Sequence, residues 1–413
     1  MVKPQGFQKL TLTDEALEKW LKTLQIGAPK AESVPLQEAL GRVLAEDLVA
    51  IESLPRFDRS AMDGYAVKAA DTAGTSQSKP AKLDVTESQE IFSKQARQIW
   101  TGNPIPRGAD AVVIIENTEK KESKLLVYCP VTPALNIAKI GEDIKKGSLI
   151  ASAGTRLNPY HLGLAAALGF SQLKVAAKPK IAVLATGNEL AEVGIPLSGN
   201  LIYDSNKVMV SGVCHELGAE TADLGIVKDN MDEITAKILV ALKTYDVVIT
   251  TGGTSVGGLD LVPDAVNKLG QPGVLVHGVA LRPAMPTALA VLEGKPVLIL
   301  SGNPVAAIIG FEVFGRPLIC KMLGMTKTES RPMLKATLTR HVSSALGRKT
   351  YVRVHVRLKD GEFYAEPVST KGSGAISTMT QSNGFVVIDE NREGVTKGEI
   401  VFVHMFGPVE VAN

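Results

Sequence analysis

Residues 246–260 read DVVITTGGTSVGGLD, an unbroken apolar run that passes straight into a glycine-rich turn. The run VVITT lacks the apolar–polar alternation of a half-exposed strand, so it suits a strand covered on both faces. At Gly252 and Gly253 the missing side chains let backbone N–H groups approach an anion closely, and Ser255 can add a hydroxyl donor. The competing reading is a tight strand-to-helix connection without a ligand. Asp260 favours the ligand, because a carboxylate beside a phosphate site commonly serves to hold Mg²⁺.

The same texture extends on both sides. IAVLAT at 181–186 and VLIL at 297–300 are further short apolar runs, separated by helix-like segments at 206–217 and 232–242. That alternation predicts a doubly wound, largely parallel α/β sheet, whose ligands sit at the carboxyl ends of the strands. Two more polar loops fall at such ends: Thr186, Gly187, Asn188 and Glu189 after the first run, and Ser301, Gly302 and Asn303 after the last. Three polar loops at neighbouring strand ends suggest one shared pocket. ALRPAMPTALA at 280–290 sets Arg282 between prolines that stiffen the loop, either to point a guanidinium at an oxyanion or as an ordinary surface arginine.

Length and composition bound the rest. A chain of 413 residues is too long for one core and suggests about two to four domains. With 45 Lys and Arg against 43 Asp and Glu, it lacks the positive field that nucleic-acid binding requires. Cys129, Cys214 and Cys320 form no C-x-x-C pair and read as free thiols of a reducing compartment. The six histidines show no zinc-protease spacing, and no G-x-S-x-G elbow is present. No signal peptide or membrane-length apolar run is visible, so a soluble, cytoplasmic protein is expected.

Toward the N-terminus, Leu17, Trp20, Leu21 and Leu24 follow Thr13 at helical spacing, and a second helix is expected over 36–45 from Leu36, Ala39, Leu40, Val43 and Leu44. Short apolar runs with Gly, Pro and charged turns then predict a small β-rich domain over 51–150. Asn158, Pro159 and Gly169 bracket another helix, so helices on either side could pack together and leave the β-rich stretch as an insertion. YVRVHVRL at 351–358, GFVVID at 384–389 and IVFVHMF at 400–406 predict a compact C-terminal β-barrel or sandwich. Within the insertion, DRSAMDGYAV at 58–67, TGNPIPRGAD at 101–110 and GEDIKKG at 141–147 can each be read as turns on their own.

Taken in order, DRSAMDGYAV, TGNPIPRGADAVV, NI-x-x-x-GEDI at 136–144, ATGNEL, IYDSN at 202–206, TTGGTSVGGLD and SGNPVAA cover nearly the whole chain. Together they resemble the molybdopterin molybdenumtransferase family, the MoeA type related to the E domain of gephyrin. The resemblance implies a helical linking region over 1–50 and 151–179, an inserted β-rich domain over 51–150, a molybdopterin-binding α/β domain over 180–328 and a C-terminal β-barrel over 329–413. It implies a homodimer with its active site between subunits, and a reaction that inserts molybdate, or tungstate, into adenylylated molybdopterin with Mg²⁺ and release of AMP. Gly252, Gly253, Ser255 and Asp260 would hold the phosphate and adenylate end, with Asp260 the Mg²⁺ contact. Asp63, Thr101, Asp143, Glu189 and Asp229 match acidic or polar positions of the family's cleft. Arg353 and Ser373 resemble residues that approach the oxyanion from the partner subunit, and Arg282, Ser301 and Asn303 lie at the strand-end pocket.

The sequence departs from the family in two places. Where many members have K-P-G-K-P, residues 282–286 read RPAMP, so Met285 replaces the second lysine. Ala138 stands where the family has an arginine, leaving Lys139 as the nearby cation. Two other functions compete: a molybdopterin adenylyltransferase, which shares the α/β domain but lacks the insertion and barrel, and a non-catalytic pterin-binding carrier or scaffold.

Overall fold

The computed structural model describes residues 10–254, 260–325, 331–368 and 372–411. Its central sheet comprises β1 (Lys180–Thr186), β2 (Glu220–Val227), β3 (Val247–Thr251), β4 (Pro272–His277), β5 (Ala288–Leu292) and β6 (Lys295–Leu300). The spatial order is β2-β1-β3-β6-β5-β4. The first four of these pair in parallel, while at one edge β5 pairs antiparallel with both β6 and β4, so that β5 alone is reversed. The expected parallel character therefore holds for four strands and gives way to a meander. The cause is local: Glu293 and Gly294 both adopt positive φ, 51° and 75°, which suits a two-residue hairpin joining β5 to β6.

Burial explains the apolar runs. On one face Ile181, Val183, Val247, Ile249, Leu298 and Leu300 pack with Trp20 and with α3 (Asn206–Glu216). On the other, Ala182, Leu184, Val248, Val297 and Ile299 pack against α4 (Met231–Thr244) and α5 (Leu261–Leu269). Alternate residues thus bury on opposite faces, and none of these strands needs a polar side.

The preceding helix α1 (Thr13–Thr23) belongs to the same core, since the Trp20 indole N–H donates to the Ala290 carbonyl at 2.8 Å. Helix α2 (Pro159–Ala167) forms where Asn158 predicted, with Asn158 Oδ1 accepting from the His161 N–H at 3.0 Å. The helix expected over 36–45 is reduced to a single 3₁₀ turn, Leu36–Glu38. Gly41 turns the backbone at φ 73°, and Val43 and Leu44 bridge to Arg156 and Val175 as extended chain. Leu36, Ala39, Val43 and Leu44 are still buried, but the backbone bonds are made to neighbouring strands rather than within a helix.

The β-rich insertion holds a six-stranded sheet in the order 111–114, 64–67, 95–99, 81–85, 124–127 and 118–121. Leu48–Val49 and Leu149–Ala151 pair antiparallel, so the chain enters and leaves side by side, as an insertion requires. At the C-terminus β7 (Met333–Leu338), β8 (Lys349–Lys359), β9 (Glu362–Pro367), β10 (Gly384–Ile388) and β11 (Ile400–Met405) close in the order β8-β9-β7-β11-β10 and back to β8. Val352, Val354 and Val356 alternate into its core. Among the described residues no helix is long and apolar enough to cross a membrane.

Two contacts seat the barrel on the α/β domain. Leu281–Arg282 pairs in parallel with Lys349–Thr350, and the Lys349 N–H donates to Ala280 O at 2.9 Å. The second lies on the long helix after β6, where α6 (Pro304–Gly310) passes through a π-turn, Phe311–Gly315, into α7 (Arg316–Met322). The wider turn accommodates Pro317, which lacks an N–H and would clash with the carbonyl four residues back. Glu312 in that turn accepts from Arg331 Nε and Nη2 at 2.6 and 2.8 Å. Burial works against the charge on Glu312, but the Arg331 hydrogen bonds and the Arg316 charge outweigh it and hold the carboxyl below its usual range.

Candidate active site

Parallel pairing brings the ends of β1, β3 and β6 together, and the turns that follow touch. The Gly252 N–H donates to Leu300 O at 3.1 Å, and a Cβ built on Gly302 would stand 3.5 Å from Gly252 Cα. Gly252 and Gly253 have φ of 88° and 67°. A Cβ on Gly252 would meet Thr186 O at 2.3 Å, and one on Gly253 would meet Val262 Cγ2 at 2.4 Å. Both positions therefore require glycine for conformation and for space. The backbone that results is bare at the strand end, as an anion cradle needs.

The polar groups around this turn are unsatisfied. The hydroxyls of Thr186, Thr250, Thr251 and Thr254, and Oδ1 of Asp260, are buried and find no hydrogen-bond partner among the described residues. Buried polar atoms left without partners cost stability, and their concentration at one strand edge marks a place where a bound molecule supplies partners. Asp260 precedes α5, with Oδ1 3.9 Å from His277 Nε2; burial raises its carboxyl pKa, His277 opposes this and Asp264 adds to it. No cluster of three or more acids, histidines or cysteines suited to a metal exists among the described residues. A single carboxylate oxygen is nevertheless a protein donor that Mg²⁺ can accept, because the ion keeps waters and completes its shell with oxygens of a bound ligand. Ser255 lies outside the described residues.

Asp229 joins the same edge: its N–H donates to Asn188 Oδ1 at 3.2 Å, and the Asn188 N–H returns to Asp229 Oδ2 at 3.4 Å. Glu189 folds back over Gly187, its carboxylate oxygens 2.6 and 2.7 Å from where a Cβ would stand. The IYDSN stretch contributes from below. Asn206 Nδ2 donates to Gly302 O at 2.8 Å, while Asp204 Oδ1 accepts from the N–H groups of Asn206 and Lys207 at the start of α3. Sequence reading had given Asn206 no such role, since the bond spans 96 positions.

Beside the β6 turn a cavity of about 340 Å³ opens between the 281–286 loop and the barrel. Arg282, Ser301, Asn303, Arg353 and Ser373 line it, so five of the expected site residues meet there within one chain. Arg353 and Ser373, expected to approach from a partner subunit, thus also line this cavity of their own chain: Leu281–Arg282 pairs with Lys349–Thr350 of β8, and Ser373 O accepts from the Val305 N–H at 3.0 Å. Among the described residues, three arginines and no acid line the cavity. Arg353 is 4% exposed, and burial lowers its guanidinium pKa. Arg348 and Tyr351 also line the cavity, and burial pushes the Tyr351 phenol up to about 12. Neither was legible as a site residue, because their place depends on how β8 docks.

The insertion carries a separate group. Asp63 Oδ1 accepts from the N–H and the hydroxyl of Thr101, both at 2.7 Å, and these bonds hold its carboxyl below the usual range. Asp58 Oδ2 binds Lys139 Nζ at 2.7 Å. The Asp143 N–H donates to Leu54 O at 3.0 Å. Among the described residues no hydrogen bond or ion pair joins Asp63, Thr101 or Asp143 to the strand-end turns or the cavity.

Known proteins share this arrangement along the full chain. Residues 11–169 match the MoeA N-terminal region (domain I and II), 182–321 a probable molybdopterin binding domain, and 335–406 the MoeA C-terminal region (domain IV). The chain is 36% identical to the molybdopterin molybdenumtransferase of Haemophilus influenzae, covering 96% of this chain and 98% of that protein. It is likewise 36% identical to the Bacillus subtilis enzyme of the same name, over 91% and 89%. The crystal structure of the molybdopterin biosynthesis moeA protein from Pyrococcus horikoshii superposes with a TM-score of 0.83 at 32% identity, covering 96% of this chain and all of that one.

Proposed function

The chain belongs to the MoeA family of molybdopterin molybdenumtransferases, enzymes of molybdenum cofactor biosynthesis, and on that premise we propose that it inserts molybdate or tungstate into adenylylated molybdopterin, with Mg²⁺, and releases AMP. The observation that carries this reading is one of adjacency. A glycine turn with buried polar atoms that lack hydrogen-bond partners among the described residues stands next to a cavity whose described lining has three arginines and no acid. The first suits the phosphate and adenylate end of the substrate, the second a tetrahedral dianion.

In this reading Gly252, whose own N–H is held by Leu300 O, leaves the space at the strand end, the Gly253 amide with Ser255 binds phosphate there, and Asp260 holds Mg²⁺. Bound there, the metal would offset the negative charge separated as the phosphoanhydride opens. Arg282, Arg353 and Ser373 orient the oxyanion, and Ser301 and Asn303 shape the passage between the two compartments. Glu189 and Asp229 orient water or substrate hydroxyls at the strand ends. No side-chain nucleophile is required. Asp63, Thr101 and Asp143 complete the cleft from the second subunit of a homodimer. Support for that last step is their distance from hydrogen-bond contact with their own chain's cavity, and the exposure of Asp63 on the insertion.

AMP release tests the proposal. Purified protein with adenylylated molybdopterin and Mg²⁺ should release AMP when molybdate or tungstate is added. Absence of oxyanion-dependent release with both would overturn it, and ATP-dependent AMP transfer to metal-free molybdopterin would reassign the chain as an adenylyltransferase.

A further inference from the structure

The cavity contains a charge that the family motifs do not account for. Arg282 stands on its α/β wall, and Met285 on the same loop offers only a thioether. Arg348, one residue before β8, lines the cavity from the barrel. It is half-buried and makes no ion pair or side-chain hydrogen bond among the described residues. Its backbone, in contrast, is fixed. Lys349 and Thr350 pair with Leu281 and Arg282, and Arg348 O accepts from the Thr350 hydroxyl at 3.3 Å, which in turn accepts from Ser344 Oγ at 2.7 Å.

Guanidiniums gathered in one cavity repel each other unless something negative lies between them, and among the described residues lining this cavity there is no carboxylate. We propose that Arg348 is a direct oxyanion contact that supplies, from the barrel, the cationic donor missing at Met285. The identity of the oxyanion rests on the function proposed above; the role of Arg348 as an anion ligand does not. Arginine presents planar, paired N–H donors that fit a tetrahedral oxyanion and cannot lose its charge at working pH. The oxyanion then bridges two domains, with Arg282 on one side and Arg348 and Arg353 on the other. Its binding therefore strengthens the seating of the barrel, and the relocated charge makes Arg348 a determinant of affinity for a dianion.

Calorimetric titration of molybdate into the whole protein, without pterin substrate, tests this independently of AMP release. Arg348→Met should weaken molybdate binding at least about tenfold, the loss expected when a charge-assisted hydrogen bond is removed. Met285→Lys added to Arg348→Met should recover most of that affinity by returning a cation to the loop. AMP binding at the glycine turn and the unfolding midpoint should stay unchanged in both proteins. Unchanged molybdate affinity in Arg348→Met would overturn the proposal. So would parallel loss of AMP binding and stability, which marks a structural role. If wild type binds molybdate with the expected dependence on Arg348 but releases no AMP, the anion site stands and the proposed reaction falls.

Discussion

The glycine turn after β3 and the Asp63–Thr101 pair on the insertion are both polar, yet they are built in opposite ways. At the turn, hydroxyls are buried and lack partners among the described residues, and two glycines sit where no Cβ fits. On the insertion, Asp63 is solvent-exposed and its Oδ1 already has two donors from Thr101. The first region stores its binding capacity in desolvated, preformed geometry, which a ligand completes. The second is self-contained, and only another surface brought against it turns it into part of a pocket.

Substitution at the turn should have the largest effect. Gly252→Ala forces a Cβ to within 2.3 Å of Thr186 O at positive φ, and we expect a loss of about 3 kcal/mol in denaturant unfolding together with loss of AMP release. An Ala variant of wild-type stability would mean that the turn is not as closed as its geometry implies. Asp260→Asn should keep the fold but lower Mg²⁺-dependent AMP release by about 100-fold, since a metal-held charge supplies several kcal/mol to such a step. Full activity in that variant would separate the orphaned carboxylate from catalysis.

The insertion offers a different kind of test. Asp63→Ala should cost little stability and reduce turnover by roughly 100-fold, the lower end of the range for one positioned proton-transfer group. Mixing Asp63→Ala with Asp260→Asn chains should then restore activity, because exchange between symmetric dimers leaves roughly one quarter of the sites with both residues intact. No restoration would place both regions in one subunit's site and remove the contrast drawn above. In the cavity loop, Ala284 adopts φ 95°, a conformation that favours glycine, so Ala284→Gly should raise stability by about 1 kcal/mol.

The smallest effect concerns protonation. Thr101 donates two hydrogen bonds to Asp63 and favours its charged form. A folded-state pKa below the unfolded one means that this contribution is present at neutral pH and fades as pH falls through the folded value. Thr101→Val removes the hydroxyl donor, so carboxyl-carbon titration by NMR should show the Asp63 pKa moving up toward its ordinary range.

Several of these features could be read directly. The runs at 181–186, 247–251 and 297–300 became β1, β3 and β6 because strands buried on both faces leave no polar alternation to hide them. The stretch at 36–45 misled, since apolar residues three and four apart are buried equally well by a chain that bends at Gly41 and pairs with strands. Asp63 and Thr101 came forward as a motif, but nothing local revealed that they would bond each other across 38 positions. Arg348 gave no signal at all: it precedes a strand whose alternation describes the barrel core, not the cavity outside it.

What the sequence determined by itself is therefore the local structure: a buried strand ending in a bare, glycine-built turn, and a C-terminal stretch whose alternation demands a barrel or a sandwich. Periodicity and steric freedom are properties of neighbouring residues, so they survive without coordinates. Which distant groups share a pocket was decided only by the tertiary structure. The short parallel ladder between Leu281–Arg282 and Lys349–Thr350 turns β8 toward the loop, and through it Arg282, Arg348 and Arg353 face one space within a single chain. Pairing between segments nearly seventy residues apart is set by how two domain cores pack, and no local pattern encodes that.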